Sequence, residues 1–533
     1  MGEQGLNKGK LSQAVVMVYF LVMTVVYPFY APGGYMHIGE VKYEFFRAAG
    51  LIMLALVIAV ILISLALHRD KEWLIRNYKQ MSVTDWFAYG YLVAVMLSYL
   101  FSAYKEDALW GTDGWYMGVM TQIMFVLIYF VFSRYFSCGL KWLGIWMLAA
   151  AGVFLLGICN RYSIYPIVMD GQTEVFISTL GNINWFCGYW SVTATIGIVL
   201  YWCSDKKMVR VLAGIYSAIA MVSGVTQGSS SAYLVFIIIF LALFILSLNS
   251  NEKLYRFLEL CMMFAASCQI ARLMQYLPGL EYNYMWYDES GRLVVSMVLI
   301  AGNTTVWVFL ILLACYVLFR ILGRQGLFHI EKHKWLWGIM TVAVVIVVGI
   351  AAIYLLIDNE ILCFRDVPET MEYDSYLEPF FDEDWGNGRG ATWNCGMDAY
   401  RRLDTLHKIV GVGPDCFADY VYSVPELADK LVERFGNLRL TNAHNEQITL
   451  LVNVGVLGWV CCMGLFVSAF VRYMKRGQRQ PVLYLCAIGV LAYTVHNMVS
   501  FQQVLSTPYI FILLGIGEKY YRCITDEKHW HRE

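Results

Sequence analysis

Charge is scarce in this sequence. Only 15% of its 533 residues are Asp, Glu, Lys or Arg and 59% are hydrophobic, whereas soluble domains carry about 25% charge. That excludes a chain built for water. A surplus of either sign is lacking too, since 39 basic against 40 acidic residues leave a net charge of −1, without the basic face a nucleic-acid partner needs. The 14 cysteines include no Cys-x-x-Cys pair and no Cys/His ligand spacing; most lie in apolar runs, where cysteine behaves as a small apolar residue. Cys363, Cys395 and Cys416 share one polar segment, and a disulfide among them stays open. No small-x-small cleavage site follows the apolar stretch from Ala14 to Tyr30, so it reads as a first membrane span and not as a signal peptide. "FDEDW" (381–385) reads as acidic surface, and neither a metal nor a cofactor is expected. No internal repeat of fixed period and no low-complexity tract stands out.

What is present is a succession of apolar runs of roughly 20 residues, each long enough to cross a ~30 Å hydrocarbon layer. Hydropathy places fourteen at 13–31, 46–67, 84–102, 115–133, 142–159, 183–203, 211–225, 231–248, 255–275, 294–319, 335–357, 447–471, 481–500 and 505–518. The run at 255–275 carries Glu259 and Arg272 and is the least apolar in character. The 17 Trp and 37 Tyr suit the bilayer interface. The expected fold is therefore all-α, a polytopic bundle of about 12–14 spans. Basic residues test the orientation: 25 of the 39 fall in alternate joints, which retention of Lys and Arg inside the cell would make cytoplasmic. Both termini then face the cytoplasm, and the chain is a multi-pass protein of the cytoplasmic membrane. Residues 1–357 form an N-terminal bundle of about 11 spans, 358–444 an extracytoplasmic loop, 445–520 the C-terminal helices and 521–533 a cytoplasmic tail.

The long loop is acidic, with 17 Asp or Glu against eight Lys or Arg. Structureless loops of that length are uncommon, and helical spacing in 392–410 and 425–437 points to a partly helical cap. Within it, "GRGATWNCGMDAYRRLDTLHKIVGVGPDCF" (388–417) holds Arg389, Trp393, Arg401 and Arg402, followed by Gly411, Gly413 and Pro414. Arginine forks suit diphosphate oxygens; equally, these arginines can pair with the loop's surplus carboxylates. "TNAHNEQITLLVNVGVLGWV" (441–460) then sets His444 and Asn445 before a span, with Gly455 and Gly458 behind. On a continuous helix the 11 residues from His444 to Gly455 make about three turns, which puts His444 on the small-residue face that packs into a bundle and turns Glu446 elsewhere. Histidine titrates near neutral pH and suits proton transfer. "FISTLGNINWFCGYWSV" (176–192) brings Asn182 and Asn184 to the start of the sixth span, either as caps or as ligand-binding amides. "FSAYKEDALWGTDGWYMG" (101–118) supplies Trp and Gly with no chemistry of its own. His496, Gln502 and Gln503 are further candidates on the acceptor side.

The run Arg-x3-Trp, Gly-x-Gly-x3-Phe, His-Asn, nine residues and Gly-x-x-Gly over 388–460 resembles the C-terminal signature of the O-antigen ligase / O-antigen polymerase superfamily. "STLGNINWF" resembles that family's Gly-Asn-x-Asn element. The resemblance implies a GT-C-type membrane glycosyltransferase that moves a glycan from undecaprenyl diphosphate to a sugar hydroxyl on a glycan or glycolipid acceptor. The reaction would occur at the outer leaflet, without a metal and with inversion. By that likeness His444 and Arg389 are the catalytic residues. Trp393, Arg401, Arg402, Arg292, Asn445, Asn182 and Asn184 are the expected substrate-binding residues. Where the family often has Ser-Arg, this chain has Ser229 and Ser230, so a second diphosphate-binding arginine must come from Arg292, Arg401, Arg402 or Arg161. The competing reading is a transporter or flippase of lipid-linked glycans, which usually shows paired halves and midplane charges. The likeness leaves ligase and polymerase level.

Overall fold

A computed structural model of the chain describes residues 3–68, 80–277, 279–280, 299–300, 302–335, 337–339, 341–343, 346 and 385–530. Arg292, Cys363 and most of the expected span at 335–357 lie outside them. The described helices are α1 (Glu3–Leu21), α2 (Ile38–His68), α3 (Val83–Phe101), α4 (Lys105–Trp110), α5 (Val119–Tyr135), α6 (Leu140–Arg161), α7 (Ile183–Cys203), α8 (Lys207–Thr226) and α9 (Ser231–Ser247). They continue with α10 (Asn251–Met274), α11 (Thr304–Arg324), α12 (Trp385–Arg402), α13 (Thr405–Val410), α14 (Phe417–Ser423), α15 (Pro425–Phe435), α16 (Glu446–Arg476), α17 (Val482–His496) and α18 (Thr507–Trp530). A two-residue antiparallel pairing of β1 (Phe176–Ile177) with β2 (Gly181–Asn182), Phe176 opposite Asn182, is the sole sheet among the described residues.

Nine helices among the described residues are long and apolar enough to cross a membrane, and α5, α9 and α17 are shorter apolar helices. The chain is thus an all-α, multi-pass bundle. Its least apolar expected span is a helix, α10. Glu259 there accepts hydrogen bonds from Tyr201 (2.8 Å) and Tyr316 (2.9 Å), and Arg272 donates to the Asn303 side chain (2.5 Å). Charges in an apolar helix are tolerated when so hydrogen-bonded.

Sequence decides which helices lie inside. α7 is apolar all round and almost wholly buried, as a central helix must be. By contrast, α11 is more apolar still, yet its apolar stretch has no buried residue among the described residues, the pattern of a helix turned toward lipid. Around α7 pack α8, α17 and α6, while α16 lies along α3 and α18 along α5. Small residues allow these approaches: at Gly464 an added Cβ would meet the Phe87 ring at 2.2 Å, and at Gly197 the Tyr216 ring at 2.1 Å.

Successive helices run antiparallel, so the joints collect at two ends. One end gathers the joints 102–118, 162–182, 227–230 and 497–506 together with α12 to α15; we call it the cap end. The far end holds a buried ion network. Asp85 and Glu518 are fully buried. Arg134 holds Asp85 bidentately (2.9 and 3.2 Å), Tyr129 donates to it (2.8 Å) and Arg522 pairs with both carboxylates. Arg472 grips Glu518 (2.6 and 3.2 Å).

Candidate functional site

Two glycine-bearing motifs interlock at the cap end. α16 is broken at Gly455, whose backbone sits at φ 65°, ψ −175°, a conformation essentially reserved for glycine. The break leaves Val452 and Asn453 with carbonyls that no helical turn uses. The loop after α13 supplies the donors: Val412 N–H reaches Val452 O and Gly413 N–H reaches Asn453 O, both at 3.0 Å. Gly411 fits because its missing Cβ would lie 2.2 Å from Asn453 O, and Gly455 because its own would lie 2.3 Å from the Ile409 carbonyl. The spacing of Gly-x-Gly before Pro414 and of Gly455 thus serves one junction. It also corrects the expectation of a continuous helix from His444 to Gly455.

His444 itself precedes the helix. Asn445 is the N-cap, its Oδ1 accepting from Gln447 N (2.9 Å) and Ile448 N (3.4 Å), so the cap needs the very side chain expected to bind substrate. His444 takes a left-handed backbone, φ 50°, steadied by Asn442 Oδ1, which accepts its N–H at 2.9 Å. The half-buried imidazole stands edge-on to Phe501, centroids 5.3 Å apart. Its Nδ1 is buried with no hydrogen-bond partner among the described residues. Burial, then the positive charge of Arg389, push His444 down to about 4, so the ring is neutral at pH 7.

Arg389 comes from the first turns of α12. It is 9% exposed and its Nε donates to Val499 O at 2.9 Å. Three residues on, Thr392 Oγ1 donates to Ala443 O (3.0 Å), which docks α12 against the residue before His444. Trp393, one turn from Arg389, is buried in the cluster containing Ala443, Ile448 and Val499. It is a wedge between α12 and α16.

The other expected residues lie apart. Arg401 and Arg402 are exposed, about 18 Å along α12 from Arg389 at 1.5 Å per residue. Arg402 pairs with Asp398 and Glu426. The expected helix 392–410 is in fact interrupted after Arg402, where Asp404 caps α13 by accepting from His407 N (2.9 Å). Arg161 is 1% exposed and donates to Glu174 O (2.7 Å) and Gln227 O (2.6 Å), a structural tie between joints. Asn182 caps α7 through Asn184 N (2.9 Å). Asn184 Oδ1 in turn accepts from Ser229 (2.8 Å), which connects the Gly-Asn-x-Asn stretch to the Ser-Ser pair. His496 is fully buried, both ring nitrogens without partners among the described residues. An added Cβ on Gly188 would stand 3.2 Å from its Nε2.

Two carboxylates escaped the sequence reading. Glu446 does not turn away: it is 6% exposed, its Oε2 accepts from Gln502 N at 2.7 Å, and it lines a cavity of about 30 Å³ together with Asp415 and Asn442. Asp415 Oδ2 accepts from Thr112 N (2.8 Å) and Met117 N (2.9 Å). This clamps the 112–117 loop and sets Trp115 against Phe501, centroids 4.9 Å apart. Burial pushes the Asp415 carboxyl up to about 7 against those two hydrogen bonds. A lone Asp after Gly-Pro carries no signal of its own; only its partners reveal it. Likewise the 101–118 stretch, read as inert, provides a wall of the site.

Compared with models of known protein families and with curated proteins, the chain matches none. The geometry therefore stands alone: a neutral imidazole with an uncommitted nitrogen, an arginine whose charge it feels, and a carboxylate-lined cavity beside them, all at the cap end.

Proposed function

We propose that the chain is a membrane glycosyltransferase of the O-antigen ligase / polymerase type, moving a glycan from undecaprenyl diphosphate to a sugar hydroxyl. The observation that carries this reading is the His444 imidazole, its Nδ1 without a partner among the described residues, within the field of Arg389. His444 accepts the proton of the incoming hydroxyl as its oxygen bonds to the anomeric carbon. The bond from that carbon to the diphosphate oxygen breaks, and the electron pair leaves with the lipid diphosphate. Arg389 offsets the charge that builds there. Attack from the face opposite the leaving group inverts the anomeric centre. Burial is the larger cause of the depressed imidazole and the Arg389 charge the smaller; a bound diphosphate counters only the second, recovering part of the ring's basicity.

The basic residues of the alternate joints support a cap end outside the cytoplasm and cytoplasmic termini, so donor and acceptor meet at the outer leaflet within a GT-C-like bundle. The test is transfer from a lipid-diphosphate oligosaccharide by purified protein. General-base assistance contributes ~10²–10⁴-fold, so His444→Ala should lose at least that lower factor, and Arg389→Ala a comparable one. Wild-type turnover in either variant removes that residue from the mechanism.

A further inference from the structure

The cavity beside His444 has an unusual inventory. Trp115 and Phe501 form ring walls, and Asn453 and Gln502 line the polar side. Asn453 is 7% and Gln502 5% exposed, and Asn453 Oδ1 and Gln502 Oε1 have no hydrogen-bond partner among the described residues. A buried carbonyl oxygen left unsatisfied is unfavourable, so both oxygens await donors. The carboxyl groups of Asp415 and Glu446 add further oxygens, and no Lys, Arg or His lines the cavity among the described residues. At about 30 Å³ the space admits roughly two waters, since one needs ~10–15 Å³.

Outside it runs a row of rings. Phe176, Trp185 and Trp115 are half-buried and meet edge to face, centroids 5.9 Å apart from Phe176 to Trp185 and 5.6 Å from Trp185 to Trp115. Trp115 then meets Phe501, and Phe501 meets His444. Half-buried aromatic rings beside oxygen acceptors fit one chemistry: a neutral ligand with an apolar face and O–H donors along its edge. A diphosphate finds no cationic partner in that lining and no use for the rings.

We propose that this cavity and the ring row form a binding subsite for a neutral pyranose, the acceptor sugar. Naming it the acceptor rests on the transferase reading above; the binding itself does not. One sugar lies with its C–H face on Trp115 and directs two hydroxyls into the positions otherwise held by water, donating to Asn453 Oδ1 and Gln502 Oε1. Asn442, two positions before the imidazole, lines the same cavity and holds the His444 backbone, which keeps that sugar near His444.

Saturation-transfer NMR on the full chain in lipid nanodiscs tests this with the methyl glycosides of glucose, galactose, N-acetylglucosamine and rhamnose. At least one should bind, with transfer strongest to the C–H protons of one ring face. Trp115→Ala and Gln502→Ala should each weaken it at least tenfold. Trp115→Phe and His444→Ala should retain it, the former as a control for folding. Pyrophosphate should not compete. Binding by none of the four, affinity unchanged in both alanine variants, or displacement by pyrophosphate or by calcium would overturn the proposal. Glycan transfer without glycoside binding removes the subsite and leaves the transferase reading intact, whereas glycoside binding without transfer does the reverse.

Discussion

Gly455→Ala should separate the two motifs of the site. Alanine must adopt φ 65°, ψ −175°, a strain of about 1–3 kcal/mol. Its Cβ would also lie 2.3 Å from the carbonyl carbon and oxygen of Ile409. Those are backbone atoms and no side chain can swing aside, so the α13 loop has to move, for about 1–3 kcal/mol more. The sum, roughly 2–6 kcal/mol, is a large share of an ordinary fold's stability. Moving the loop also breaks the two bonds from Val412 and Gly413 to the α16 carbonyls. Gly411→Ala attacks the same junction from the other side, its Cβ 2.2 Å from Asn453 O. The two substitutions should therefore not add: once one has parted the junction, the second costs much less. The assay is thermal unfolding of purified single and double variants in detergent, alongside glycan transfer. A Gly455→Ala protein as stable as the parent, or strictly additive losses, would show that the loop and the helix break do not hold each other.

The remaining predictions use pH. His444 binds its proton near 4 when folded and near 6.5 when unfolded, so the unfolded chain takes up a proton first and stability falls as pH drops from about 6.5 to 4; His444→Gln should flatten that part of the midpoint-against-pH curve, and an unchanged curve would refute the buried, neutral ring. Asp415 has the opposite sign. Its folded value near 7 exceeds the unfolded 3.8, so stability falls as pH rises from about 4 to 7, by roughly 4 kcal/mol at 1.36 kcal/mol per unit. Asp415→Asn keeps an acceptor for Thr112 N and Met117 N and should be more stable than the parent at pH 8, though not at pH 4; equal behaviour at both would sink the assignment.

Much of the scaffold is written in the order of residues. Apolar runs of bilayer length mark the helices, and the position of basic joints tracks the alternation of their ends. At the candidate site, the nearness of Arg389 and His444 was legible, His444 from its place before an apolar run and Arg389 from the Arg-x3-Trp resemblance. What escaped is what depends on three-dimensional partners. Asn445, Asn182 and Asn184 look like ligand-binding amides, yet each has a local hydrogen-bonding duty, because the same short side chain that recognises a ligand also caps a helix. Arg401 and Arg402 share a helix with Arg389, but helical rise carries them away from it. Glu446 was assigned the wrong direction because the helical projection assumed regular geometry through His444 and Gly455, and both residues leave it. Trp115 gave no signal, since its position is set by Asp415, 300 residues later in the chain.

The far end of the bundle limits how the molecule can open. Four helices, α3, α5, α16 and α18, are cross-linked there by three partly buried guanidinium groups and two carboxylates with no access to solvent. Prising them apart would leave unpaired charges in an apolar setting, at several kcal/mol for each ion. Any rearrangement of the bundle therefore costs least at the cap end, where no such network ties the helices among the described residues, and most at the end these ions hold together.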